Sequence, residues 1–195
     1  MSPPRAFLDA CVLFPPLVRG LLLHAAREGV FAPAWSPRVI EEWARATARD
    51  HGTLAGDAVR AEGALMDARW PDASAAPDAD LLAATDLPDA NDVHVLASAV
   101  AAGADLLVTY NLRDFPAGKL RALGVSPLGP DAFLWEAAGR APQALSRTLA
   151  AAAAPFAALS DPQDLARAVK RAHLPRLAKM IRQGALAPEG PDASR

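Results

Sequence analysis

One cysteine, Cys11, stands in a chain of 195 residues, so no disulfide framework is available and a reducing compartment suits the protein. No apolar run approaches the roughly 18 residues that a membrane helix needs, and the first residues, Met1 to Arg5, lead straight into Phe7-Leu8-Asp9 without a secretory leader pattern. These absences predict a cytoplasmic protein with no membrane partner. There is no internal repeat, and a net charge of −2 gives no global signature of nucleic-acid binding. What is abundant is apolar content, 52%, supplied largely by alanine. A chain of this size and composition can bury one core, rich in helix, with a few strands.

Charge is unevenly placed. From Leu145 to Arg182 seven basic residues face only Asp161 and Asp164, so this stretch carries +5 and the remainder −7. Such a segment suits either a solvated helix face or a holder of phosphate backbone.

The order of patterns predicts an α/β domain. Ala6-Phe7-Leu8 reads as a short buried strand ending at Asp9, and Leu17 to Glu28 as a helix. Ser36 and Pro37 open a stronger helix, with Val39, Ile40, Trp43 and Ala44 on one stripe. At about 100° per residue, Glu42 lies on the border of that stripe and Glu41 away from it, which selects Glu42 as the inward carboxylate. Ala58 to Trp70 is compatible with a helix, and Pro71 to Asp80 is loop-like. Asp89-Ala90-Asn91-Asp92 then enters the apolar helix Val93 to Ala102, followed by the strand Asp105 to Thr109 and the polar loop Tyr110 to Pro116. A further strand fits Gly124 to Leu128. Beyond Pro130 the pattern is helical, over 131–139, 142–159 and 161–184, with Pro175 breaking the last.

Asp9, Glu42, Asp92 and Asp114, with Asp89 close behind Asp92, thus fall at strand ends or helix starts. Carboxylates gathered at one sheet edge repel one another unless a cation neutralises them, and hard oxygen ligands select Mg²⁺ or Mn²⁺. Such a site can activate water against a phosphodiester. Cys11 reads as a small buried hydrophobe, His94 as a packed, hydrogen-bonded histidine, and Trp35 and Trp43 as core anchors. A phosphatase of the haloacid dehalogenase type requires a second aspartate two residues after the first, and Cys11 stands there instead. A non-catalytic partner-binding module is the other alternative.

The segments Phe7-Leu8-Asp9-Ala10, Ser36 to Trp43, Asp89 to Ala97 and Val108 to Phe115 together resemble a PIN domain, and more narrowly the VapC-like toxin ribonucleases of bacterial toxin–antitoxin systems. The resemblance covers residues 5 to about 130. It implies a three-layer α/β/α PIN-like fold with a central parallel sheet and a Mg²⁺- or Mn²⁺-dependent endoribonuclease acting on RNA. It also implies a homodimer and a small antitoxin partner. Asp9, Glu42, Asp92 and Asp114 take the metal-ligand and catalytic positions, Asp89 a lesser one, and Thr109, Asn111 and Arg113 supporting roles. Many members carry an acid where this chain has Asn111. The expected organisation is a nuclease domain at 1–130, a C-terminal helical extension at 131–187 and a disordered tail at 188–195.

Overall fold

The computed structural model describes residues 2–186; the tail expected at 188–195 lies outside them. Along the chain run β1 (Arg5–Leu8), α1 (Ala10–Leu13), α2 (Pro16–Arg27), β2 (Ala32–Ala34), α3 (Pro37–His51), α4 (Thr53–Arg69), α5 (Ala79–Ala84) and α6 (Val93–Ala101). They are followed by β3 (Leu106–Val108), α7 (Ala117–Ala122), β4 (Ser126–Leu128), α8 (Pro130–Arg140), α9 (Pro142–Ala153), α10 (Pro162–Arg171) and α11 (Pro175–Arg182). These elements form two compact units: Met1–Phe14 with Phe31–Gly129, and Pro15–Val30 with the chain from Pro130 onward.

The first unit holds a four-stranded parallel sheet in the order β2-β1-β3-β4. Phe7 lies opposite both Ala34 and Leu107, and Leu107 opposite Pro127. Ala6, Phe7, Leu8, Leu107 and Val108 are fully buried, as expected of central parallel strands covered on both faces. The two edge strands each contain a proline, Pro33 and Pro127, which cannot donate to a further neighbour and so blunts the edge. With its helices this sheet is the α/β/α arrangement that the sequence implies. Because β2 and β3 flank β1 on opposite sides, the winding reverses between β1 and β3, and sheets of this kind open a crevice at the carboxyl ends of such strands.

Helix α3 is fixed by its start and by its neighbour. The buried Ser36 hydroxyl accepts from the Val39 N–H at 3.2 Å, a cap worth about 1 kcal/mol. Helix α4 then packs closely on α3 because it carries glycine where the two touch: a Cβ at Gly63 would sit 2.5 Å from Ile40 Cγ2, and one at Gly56 2.7 Å from Ala48 Cβ. Trp35, also buried, donates its indole N–H to Asp67 at 2.8 Å and meets Trp70 edge to face. The loop expected over 71–80 contributes a bridge, Ser74 beside Trp35, and the start of α5.

The second unit is helical. Helix α2 packs on α9, α8 lies against α9 and α11, and α10 pairs with α11. Gly20 approaches Ala152, and Glu28 is ion-paired with Arg147 at 2.7 Å. The break expected at Pro175 is a full turn of the chain: His173 takes φ 59°, Pro175 opens α11, and Asp131 accepts from the N–H groups of Arg176 and Leu177 at 3.0 and 3.2 Å. Among the described residues no helix is long and apolar enough to cross a membrane.

Candidate active site

The crevice at the carboxyl ends of β1 and β3 is built from side chains about a hundred residues apart. Asp9 follows the last residue of β1, its N–H bonded to the Val108 carbonyl, and is buried. Thr109 follows the last residue of β3, its N–H bonded to the Leu128 carbonyl, and is buried as well. Parallel register therefore sets the two side chains beside each other, and the Thr109 hydroxyl donates to Asp9 Oδ2 at 2.6 Å. The same hydroxyl accepts from the Asn111 N–H at 3.0 Å, which ties the loop after β3 to the site.

Cys11 completes this knot. Its Sγ donates to Asp9 Oδ2 at 3.1 Å and accepts from the Tyr110 N–H at 3.3 Å. Burial, then the Asp9 charge, push its thiol up to about 12, so it stays protonated and serves as a hydrogen-bond donor. Cys11 is thus half-buried and polar in its contacts, where the sequence reads as a plain hydrophobe.

Asp92 ends the 3₁₀ turn Ala90–Asp92 that leads into α6. Asp89 caps that turn, its Oδ1 accepting from the Asn91 N–H at 2.8 Å, and is exposed. Asp114 is half-buried in the loop after β3, its N–H bonded to the Asn111 carbonyl at 2.9 Å; Asn111 and Arg113 are exposed. Burial first, and then the charges of Asp9, Asp89 and Asp114, push the Asp92 carboxyl up to about 6. Asp92 is therefore near enough to Asp9, Asp89 and Asp114 to feel the charge of each. Among the described residues of the first unit, ion pairs fall on Glu41, Glu42, Asp50, Asp57 and Asp86.

Glu41 and Glu42 leave α3 in different directions. Glu41 points to Arg60 and Arg45, with contacts of 2.9 and 2.8 Å. Glu42 Oε1 accepts from His94 Nε2 at 2.9 Å and from Arg38 Nε at 3.1 Å. His94 lies on α6, is 3% exposed, and has no partner for its buried Nδ1. A carboxylate oxygen can only accept, so the ring proton is placed on Nε2. Burial pushes the Glu42 carboxyl up, but the hydrogen bonds and charges of His94 and Arg38 outweigh it and leave it below the ordinary value. Asp92 feels the charge of His94 too, which acts to lower its pKa. Asp92 thus feels Asp9, Asp89 and Asp114, while Glu42 is joined to His94.

Among the described residues no group of three or more His, Cys, Asp or Glu side chains is gathered so as to hold a metal ion. The donor chemistry nonetheless fits one class of ion: hard carboxylate oxygens, part solvent-exposed, around uncompensated negative charge. Mg²⁺ and Mn²⁺ take such ligands few at a time and keep several waters. Sequence reasoning missed the polar role of Cys11; His94, read as a packed, hydrogen-bonded histidine, is one, with Glu42 as its partner. The one signal that could have found Cys11 was its place two residues after Asp9 at a strand end, where β3 must pass.

A family model of the PIN domain matches residues 5–113, which is more than half of the chain. No curated protein and no solved structure matches significantly. The match begins at the first residue of β1 and ends in the loop after β3, so it spans β1, β2 and β3 together with Asp9, Glu42, Asp89 and Asp92, and stops one residue short of Asp114; the chain belongs to the PIN domain family.

Proposed function

We propose that the chain is a Mg²⁺- or Mn²⁺-dependent endoribonuclease, and the toxin of a type II toxin–antitoxin pair. PIN domains are nuclease-type folds that generally use divalent metals. The observation that carries the reading is the unmatched charge at the sheet's switch point, expressed in the raised Asp92 carboxyl. A protein holds partly buried like charges at a cost, and perturbed carboxyls of this kind are concentrated at functional sites.

Asp9, Asp92 and Asp114 would hold the ion, with Asp89 at the rim. When bound, such an ion lowers the pKa of coordinated water and neutralises charge on the phosphodiester. Thr109 and Cys11 fix the orientation of Asp9. His94 and Arg38 fix that of Glu42, which keeps it ionised and able to accept a proton from water. Arg113 and Asn111, exposed on the loop after β3, would meet the phosphate backbone, and no protein nucleophile is needed. The resemblance to VapC-like toxins supports a homodimer held inactive by a small antitoxin.

Purified protein incubated with single-stranded RNA and Mg²⁺ or Mn²⁺ should cut it, chelator should stop the reaction, and Asp9→Asn should abolish cleavage with the circular dichroism spectrum retained. Cleavage that survives in both Asp9→Asn and Asp92→Asn would remove the site assignment. No cleavage by the wild type would favour a partner-binding module.

A further inference from the structure

Beside the acidic crevice, α1 and α3 pack together and enclose an open cleft of about 290 Å³. Glu42 forms one end of it and belongs to both places. Ala10, Phe14, Trp43 and Ala46 give it an apolar floor and wall, with Trp43 almost wholly buried and Phe14 half-exposed. At the far end lie Arg49 and Asp50, joined at 3.0 Å between Nε and Oδ1.

We propose that this cleft is a nucleobase subsite, seating a base next to the bond that is cut. The inference rests on the ribonuclease reading and deepens it. Its volume falls just below the range of about 300–1,000 Å³ typical of drug-sized ligands, which suits a single ring system. Two carboxylates and one guanidinium line it, and that guanidinium is already matched by Asp50, so a phosphate would be repelled and a neutral group accepted. A base is such a group: its faces are apolar and its edge carries N–H donors and acceptors. Unpaired bases of single-stranded RNA are commonly held in this way, on aromatic or apolar surfaces with polar groups at the edge. Here Asp50 offers acceptors and Arg49 donors at the cleft's end. The shared Glu42 fixes the register, since a strand whose phosphate lies over the aspartates has its neighbouring base beside α3.

Two variants test this. Ala46→Trp fills the cleft from its floor, and Asp50→Asn, on an exposed side chain, removes the charged acceptor while preserving shape. Cut positions in a mixed single-stranded RNA pool would be mapped alongside KM and kcat. RNA affinity would be followed by anisotropy of a labelled oligonucleotide without metal, and Mn²⁺ affinity by titration. Ala46→Trp should weaken RNA binding and raise KM at least about fivefold, the loss of one stacked base, and erase the base preference flanking the cut. Mn²⁺ affinity and the circular dichroism spectrum should hold. Asp50→Asn should change which base is preferred. An unchanged cut profile and unchanged RNA affinity in both variants would overturn the subsite and leave the cleft as a seat for an apolar protein side chain. If the wild type binds RNA but cuts none, and Ala46→Trp still loses binding, the ribonuclease reading fails while the base subsite stands.

Discussion

Two acidic regions of the first unit carry the same chemical group and end in opposite states. On the outer face of α3 and α4, Glu41 lies against Arg60 and Arg45, whose hydrogen bonds and charges hold its carboxyl down to about 2. At the carboxyl end of the sheet, burial and the charges of Asp9, Asp89 and Asp114 push Asp92 up to about 6. The first carboxylate is matched by side chains of its own fold. The second is surrounded by more of its own sign, at the topological switch point of a parallel sheet, and can be matched only by something that arrives. Stability alone would favour the first arrangement everywhere, so the second marks where this chain gives up stability for chemistry.

The sharpest way to break the comparison is Asp92→Asn. It removes a repelled charge and a proposed ligand together, so metal-dependent cleavage should fall by on the order of 10³-fold while the melting temperature of the metal-free protein rises. A variant that loses activity and also melts earlier would show that Asp92 supports the fold, and the contrast with Glu41 would vanish.

Thr109→Val tests the support beneath the cluster. The hydroxyl that donates to Asp9 at 2.6 Å is lost in a residue of nearly the same shape. Loss of such an orienting partner typically weakens metal binding by about 10–100-fold, which Mn²⁺ titration would read directly. His94→Leu should act the same way on Glu42 but more weakly, because Arg38 still holds the same oxygen. His94→Gln, which keeps an N–H donor, should recover most of the loss. Equal defects in both would mean that His94 only fills space.

The pH dependence of stability separates the two regions without any change in activity. The folded-state value for Asp92, about 6, lies above the ordinary 3.8. Between those values the unfolded chain gives up its proton first, so the native state loses stability as pH rises; below 3.8 the penalty is absent and above 6 it is complete. Thermal melts of metal-free protein from about pH 4 to about pH 7 should show a decline that Asp92→Asn lacks. Mn²⁺ should oppose the decline, because it binds the ionised carboxylate.

How much of this was legible in the sequence follows from the range of each interaction. Ser36 and Pro37 announce α3 because a cap acts within three residues, and helical phase separates Glu41 from Glu42 because period 3.6 is local. Strands β1 and β3 are continuous apolar runs and show themselves. Strand β2 does not: Ala32-Pro33-Ala34 has no strand signature, and only pairing with β1 makes it one. The closeness of α3 and α4 rests on Gly56 and Gly63, which read as helix-weakening residues until the partner helix is present. The knot of Asp9, Cys11 and Thr109 spans a hundred residues and exists only through parallel register. The bond between His94 and Glu42 joins α6 to α3 across the crevice, and the sequence supplied a packed histidine without its partner.

The smallest expected effect belongs to Glu41→Gln, and it is the control that gives the others meaning. Glu41 is held by two arginines in contacts as short as 2.8 Å, so distance alone would make it a strongly bound acid. It is on the surface, however, where solvent and salt screen the attraction and holding long side chains in place costs entropy. Its depressed carboxyl pKa therefore translates into little stability: replacement should leave cleavage and Mn²⁺ affinity unchanged and move the melting temperature least of the series. Whatever shift is seen at low ionic strength should shrink in high salt. The shift at Asp92→Asn, where the charges are partly buried, should persist there. If added salt erased both shifts alike, the repulsion at the sheet edge would be a surface effect, and the unmatched charge would lose its standing as the mark of the site.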